Sequence, residues 1–344
     1  MMLRTALVGT GYWGPNLANA IERTGKAVVE WLCDANPKNL SALARRYPHA
    51  KATTDIGEIM HDARVDAVLI ATPTATHYEL GRQALETGKH VLIEKPLATR
   101  SREAAELVRL AEERELVLMV GHVFEYNAAI RAVDELIKSG ELGEIYYMSF
   151  ERTNLGPVRT DVGALWDLAS HDASIMCDFM SAAPVSVTAK GQSYLNPGID
   201  DVVFATFNFD GGIAAHVHAS WLNPSKVRQV TVVGSKKMVT CDDLDLRYPV
   251  RLYDKRVSLP AVAEITGTFL QHKTLVVDSG ATIPVIQTKE PLLSEVDDFF
   301  ECILSGGKPR ADGLIGWRVV RVMEAAAESI ARDSMVVPVG FLAD

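Results

Sequence analysis

Leu3-Arg4-Thr5-Ala6-Leu7-Val8-Gly9-Thr10-Gly11-Tyr12-Trp13-Gly14-Pro15-Asn16 is the stretch that decides how the amino-terminal half folds. Leu3 to Val8 reads as a short apolar strand, and a helical pattern follows from Asn16 to Arg23. Between them Gly9, Gly11 and Gly14 take the spacing G-x-G-x-x-G. Each glycine has a separate reason: a tight turn, close approach of the backbone to a pyrophosphate, and close packing of helix on strand. The helix N-terminus then faces the anion. The spacing alone is weak evidence, but a second strand pattern, Val28 to Cys33, ends in Asp34, twenty residues after Gly14. A carboxylate there accepts hydrogen bonds from an adenosine ribose and repels a 2′-phosphate. No arginine follows in Asp34-Ala35-Asn36-Pro37, so the expected cofactor is NAD, not NADP.

Working outward, apolar runs at Val65 to Ala71, His90 to Ile93 and Val117 to Val120 alternate with helical patterns at Tyr78 to Glu86 and Arg102 to Glu113. Strict alternation predicts a doubly wound parallel sheet, a Rossmann domain over residues 1–122, within an α/β chain. Ligands of such sheets bind beyond the carboxyl ends of the strands, here Gly9 to Gly14, Asp34, Thr72-Pro73, Glu94-Lys95-Pro96 and Gly121-His122. Lys95 follows a buried strand and precedes a proline, so its ammonium is expected in the cleft, able to polarise a hydroxyl or carbonyl. Asp167 and His171 are four apart in a helical pattern and would share a face. Oxidising an alcohol removes its proton as hydride leaves, and histidine suits that work.

From Ile145 the pattern changes. Tyr146 to Arg152, Val185 to Ala189, Val202 to Phe209, Gly212 to Ser220, Val227 to Gly234 and Met238 to Asp242 read as strands joined by turns. Residues 123–344 are therefore expected to form an α+β domain with a large, mostly antiparallel open sheet. Helical patterns at Leu293 to Ile303 and Asp312 to Ile330 close the chain, whereas Leu259 to Thr288 has mixed character and no assigned role.

Composition narrows the function. The 344 residues carry 48% hydrophobic and 23% charged side chains and a net charge of −9, which argues against a reader of nucleic-acid phosphates. No apolar run is long enough to span a membrane, no signal-type start is evident, and a cytoplasmic location is expected. Cys33, Cys177, Cys241 and Cys302 are scattered without C-x-x-C pairing and read as core residues. His216 and His218 share a strand face but have no evident third ligand, so no metal is expected.

The glycine turn, Ala71-Thr72-Pro73 followed by His77, Glu94-Lys95-Pro96, and Asp167 with His171 together resemble the glucose-fructose oxidoreductase and inositol dehydrogenase (Gfo/Idh/MocA) family over essentially the whole chain. The resemblance implies that Lys95 and His171 serve the reacting hydroxyl while Asp167 positions substrate. It implies that Gly9, Gly11, Tyr12, Trp13, Gly14, Asp34, Thr72, Pro73, His77, Glu94, Lys95 and His122 line the cofactor. It also implies closing helices, about residues 290–332, that pack back on the nucleotide-binding half, and a homodimer or homotetramer. Many members carry a pair of arginines, or an arginine and an aromatic residue, after the strand ending at Gly121, where this chain has Val123-Phe124-Glu125-Tyr126-Asn127. The stretches Gly11 to Asn16 and Arg152 to Arg159 are similar to a subgroup that oxidises nucleotide sugars, including UDP-N-acetylglucosamine 3-dehydrogenases. There Arg152 and Arg159 would meet a diphosphate and Asn154 sugar hydroxyls. A dehydrogenase of a free sugar or polyol such as inositol, and a non-catalytic NAD-binding regulator, remain as alternatives.

Overall fold

The computed structural model describes residues 2–160, 162–258 and 275–340. Six parallel strands make the first sheet: β1 (Leu3–Val8), β2 (Ala27–Cys33), β3 (Lys51–Thr53), β4 (Ala67–Ile70), β5 (His90–Glu94) and β6 (Leu118–Gly121), in the order β3-β2-β1-β4-β5-β6. Helices α1 (Gly14–Arg23), α2 (Pro37–Ala44), α3 (Ile56–Met60), α4 (His77–Glu86) and α5 (Ser101–Glu113) make the connections. Helices on both faces explain why the strands are nearly continuous apolar runs, with Ala6, Leu7, Val68, Leu69, Val91 and Leu92 fully buried. The chain builds outward from β1 in one direction, then returns to β4 and builds in the other. The loops after β1 and β4 therefore diverge and leave a crevice at the carboxyl ends of the strands.

Helix α6 (Ala128–Lys138) leads to nine strands: β7 (Ile145–Leu155), β8 (Ser186–Gln192), β9 (Val202–Asn208), β10 (Ala214–Ser220), β11 (Leu222–Gly234), β12 (Met238–Asp242), β13 (Val250–Ser258), β14 (Leu275–Thr282) and β15 (Val337–Pro338). They run β14-β13-β12-β11-β7-β10-β9-β8-β15, antiparallel except where β10 lies parallel to β7. Alternation along β9 places Val203, Ala205 and Phe207 in the core and Phe204 in solvent, so one face packs and the other is open. Helix α7 (Ser170–Met180) lies on the packed face.

Two closing helices, α8 (Pro291–Ser305) and α9 (Gly313–Ala331), return to the first sheet. Leu292, Val296, Phe299 and Phe300 of α8 pack with Leu17 and Ile21 of α1. Helix α9 puts Val320 among Leu97 and Val120, while Val319, Val322 and Met323 enter the second core. Gly316 permits this approach, since a Cβ there would fall 2.3 Å from Val120 Cγ2.

The strand pattern over Val65 to Ala71 contracts to β4, and β3, β13, β15, α2, α3 and α6 are elements the periodicity did not mark. In the segment without an assigned role, residues 259–274 lie outside the described residues, whereas β14 forms the edge of the large sheet. None of the described helices is long and apolar enough to cross a membrane.

Candidate active site

The glycine turn is built around close approaches. Gly9 takes φ +97°, and a Cβ on it would sit 2.5 Å from the Ala71 carbonyl. A Cβ on Gly14 would lie 2.3 Å from the Gly9 carbonyl oxygen, so the turn and the start of α1 tolerate no side chain. Gly11 differs: the nearest atom to its Cβ position is Asn39 Nδ2 at 3.8 Å. Packing does not demand a glycine there, and a ligand crossing the turn would. Helix α1 has no side-chain cap and no acid in its first turn, which leaves its terminus available to an anion. Tyr12 is 94% exposed beside it. Asp34 accepts from the Thr10 amide at 2.8 Å, the Thr10 hydroxyl at 3.0 Å and the Asn36 amide at 2.7 Å. The acid thus latches the glycine turn to the end of β2, with carboxylate lone pairs left to accept ribose hydroxyls. Open Gly11, uncapped α1 and Asp34 together fit NAD.

At the other end of the crevice, β5 delivers Glu94 and Lys95. The Lys95 Nζ donates to the Asp167 carbonyl oxygen at 2.9 Å and lies 3.7 Å from Asp167 Oδ1, with 18% of its side chain exposed. Burial pulls the Lys95 ammonium below its ordinary range, and the Asp167 and Glu94 charges oppose that shift. Asp167 Oδ1 also accepts from Arg159 at 3.2 Å and Oδ2 from the Trp221 indole at 3.3 Å. The expected regular helix is instead a π-turn over Leu165–Ala169 that hands over to α7. In that wider turn Asp167 is bound to Lys95, Arg159 and Trp221, not to His171. His171 stands at the start of α7 with a buried, unpartnered Nδ1, its ring edge-on to Phe124 at 4.8 Å. Burial first, and then the charges of Lys95 and Arg152, hold His171 far below the usual imidazole range. His122 is buried with both ring nitrogens unpartnered, and burial and Lys95 push it down to about 3. Both imidazoles are therefore neutral near pH 7. Glu94 is pushed up to about 7, by burial against the pull of Lys95, beside the Trp13 indole.

Other residues singled out from the sequence take different places. His77 is buried, and its two ring nitrogens meet the carbonyls of Pro96 and Thr72, both at 2.8 Å. It braces the Thr72-Pro73 loop against the Lys95-Pro96 turn, so its link to the cofactor is indirect. The Thr72 hydroxyl accepts from Thr76 at 2.7 Å. Arg152 was expected to meet a diphosphate. Its guanidinium is turned inward instead, with Nε at 3.1 Å and Nη2 at 2.7 Å from Asp172 Oδ1, and it covers the Phe124 ring at 4.3 Å. The strand's alternation is the reason: Arg152 falls on the packed face of β7, 6% exposed. Asn154 donates its amide to the Gly156 carbonyl and holds its own loop. His218 stacks on Phe204 at 4.5 Å and faces Glu151 at 3.6 Å. Among the described residues no cluster of three His, Cys, Asp or Glu side chains is placed to hold a metal.

Sequence reasoning missed Phe124, Trp221, Asp172 and Arg228. Phe124 lies in the segment where the family pattern failed, and only its aromatic character after Gly121-His122 offered a signal. With Trp13, Asn16, Asn127, Arg228 and Asp243 it lines a cavity of about 410 Å³ beside the starts of α1 and α8. Arg228 reaches Asp243 at 3.2 Å across it.

Comparison with known proteins agrees with this fold. Residues 3–122 match the model of an oxidoreductase family with an NAD-binding Rossmann fold, and residues 130–240 match the GFO/IDH/MocA C-terminal domain. The chain is 26% identical over 320 residues to a UDP-N-acetylglucosamine 3-dehydrogenase of Acidithiobacillus ferrooxidans, covering 92% of this chain and 94% of the relative. It is 27% identical over 330 residues to an NAD-dependent scyllo-inositol 2-dehydrogenase of Bacillus subtilis, covering 89% and 88%. In solved structures it is similar to a levoglucosan dehydrogenase in complex with NADH and levoglucosan, with TM-score 0.83, 21% identity and coverage of 99% and 100%. The chain belongs to the Gfo/Idh/MocA family of oxidoreductases and uses NAD as its cofactor.

Proposed function

We propose that this enzyme oxidises a secondary hydroxyl of a sugar to a ketone, and that the sugar is a UDP-N-acetylhexosamine oxidised at its 3-hydroxyl. The observation that carries the chemistry is Lys95 anchored on Asp167 at the carboxyl end of β5, with neutral His171 and His122 set around it. NAD, held at the glycine turn and Asp34, would supply the hydride acceptor. The chain's residues handle the proton. Lys95 donates a hydrogen bond to the reacting hydroxyl and stabilises negative charge developing on that oxygen. Neutral His171 accepts the proton. Asp167 fixes the Lys95 ammonium through its backbone and carboxylate oxygens. The Acidithiobacillus relative supports the nucleotide sugar.

A second reading, oxidation of an uncharged sugar or polyol, rests on charge. Arg152, Arg159 and Arg228 each meet a carboxylate, of Asp172, Asp167 and Asp243 respectively, so a diphosphate would have to compete for them. The open sheet face, with Tyr147 and Phe204 exposed, supports a homo-oligomer for either substrate. The test is absorbance of reduced nicotinamide with NAD and UDP-N-acetylglucosamine, its uronic acid, inositol or levoglucosan. Turnover of a UDP-sugar is the expected result, and turnover of the neutral compounds alone selects the second reading. Lys95→Ala and His171→Ala should each lower turnover by about 10²- to 10⁴-fold with NAD affinity nearly intact. Unimpaired turnover in both would refute the acid-base assignment.

A further inference from the structure

The cavity beside the starts of α1 and α8 takes no part in the chemistry above, yet it begins one side chain away from it. Phe124 lines its wall, and the same ring stands edge-on to His171 at 4.8 Å. Asn16 and Asn19 enter it from α1, three residues apart and so on one face of the helix. Both are exposed, and neither side-chain amide has a hydrogen-bond partner among the described residues. Asparagine is a poor helix former, and lysine or glutamate would serve a solvated stripe better, so stability does not call for two of them there. Arg228 reaches the cavity from β11 with Nη1 on Asp243 at 3.2 Å, while Asn127 donates to the other Asp243 oxygen at 2.6 Å. The Arg228 Nε and Nη2 have no partner among the described residues. Pro291 and Leu292 add apolar surface.

Charge in this lining is balanced. Arg228 is paired with Asp243, and Glu290, the remaining acid, is bound to Arg23. No unpaired cation is left among the lining residues for a phosphate or a carboxylate. The two free amides each offer a donor and an acceptor, as a hydroxyl does, and their spacing on α1 brings both to bear on one small ring. We propose, building on a sugar ring oxidised beside Lys95 and His171, that the cavity is a second substrate subsite: it takes an uncharged hydroxylated ring that the substrate carries beyond the one oxidised. Asn16 and Asn19 hold neighbouring hydroxyls of that ring, and the free edge of Arg228 holds a third oxygen. Its C–H face is buried against Pro291 and Leu292. Two kinds of substrate bring such a ring, a nucleotide sugar with its ribose and a disaccharide with its second sugar. For either, the subsite adds affinity for the whole substrate over the free monosaccharide and leaves hydride and proton transfer to the crevice.

The experiment is titration calorimetry on the intact protein saturated with NADH, which cannot take a hydride and so prevents turnover. N-acetylglucosamine is compared with UDP-N-acetylglucosamine and with N,N′-diacetylchitobiose, and the ratio of two affinities on one sample cancels any general damage to the crevice. In the wild type one of the larger ligands should bind about tenfold better than the monosaccharide, or more, and the one that does so names the ring. Asn16→Ala and Asn19→Ala should each remove about three- to tenfold of that gain, and the two together nearly all of it. Alanine is the better helix former at both positions, so lost affinity cannot come from a weakened helix. A gain untouched by both substitutions, or no gain with either larger ligand, would overturn the subsite. Turnover with NAD is read separately. Oxidation of UDP-N-acetylglucosamine with the gain untouched keeps the nucleotide sugar and removes the subsite; oxidation of the disaccharide alone, with the gain lost in the variants, removes the nucleotide sugar and keeps the subsite.

Discussion

Replacing Arg152 with methionine separates a structural arginine from a substrate-binding one. Methionine keeps most of the aliphatic stem and removes the guanidinium that bonds Asp172 Oδ1, leaving an acid that is 1% exposed with neither oxygen bonded. Breaking a buried ion pair from one side costs about 3–5 kcal/mol, and a domain of this size loses about 2–4 °C of Tm per kcal/mol. The melting temperature of the cofactor-free protein should therefore fall by roughly 6–20 °C in scanning calorimetry. The loss should depend on pH. Burial pushes the Asp172 carboxyl up, and Arg152 opposes that shift in the wild type. Without the arginine the acid folds in its neutral form, so its folded pKa exceeds the unfolded one. The stability this retains is present below the unfolded pKa and is lost as pH rises through the folded value. The deficit should accordingly shrink in mild acid, and Arg152→Met combined with Asp172→Asn should recover most of it. An unchanged melting temperature together with a raised KM for a nucleotide sugar would refute this reasoning and return Arg152 to the diphosphate.

Three further substitutions test the crevice. Gly11→Ala has open space and should keep the melting temperature while weakening NAD, whereas Gly14→Ala drives a Cβ to 2.3 Å from the Gly9 oxygen and should lower both; equal melting losses in the two would refute the separate roles. Asp34→Asn should weaken NAD by about tenfold or more, by loosening the Thr10 latch as well as the ribose contact. Unchanged NAD affinity in equilibrium titration would count against both functions of that acid.

The parallel sheet was legible because each of its features leaves a local mark: apolar runs buried on both faces, glycines where backbones touch, an acid at the end of β2. Lys95 was legible because strand, lysine and proline are consecutive. The orientation of Arg152 was not, since it depends on which face of β7 packs and on Asp172, twenty residues away on α7. The wider turn at Leu165–Ala169 left no mark either, because α and π turns share the same residue preferences and tertiary contacts choose between them. Glu295 lies unmarked within the helical pattern from Leu293 to Ile303, and its lack of a partner became visible only once α8 was docked.

The docking of α8 and α9 also bears on how the chain is made. Leu292, Val296, Phe299 and Phe300 complete the core that Leu7, Leu17 and Leu69 begin, and the Val120 amide bonds to the Ala311 carbonyl at 2.9 Å along the free side of β6. During vectorial synthesis, the amino-terminal sheet leaves the ribosome with one helix layer incomplete and the β6 edge bare. It cannot close until α8 and α9 have been translated. A nascent chain arrested before residue 291 should thus bind chaperones and be cut readily by protease, and release of the final helices should end both at once.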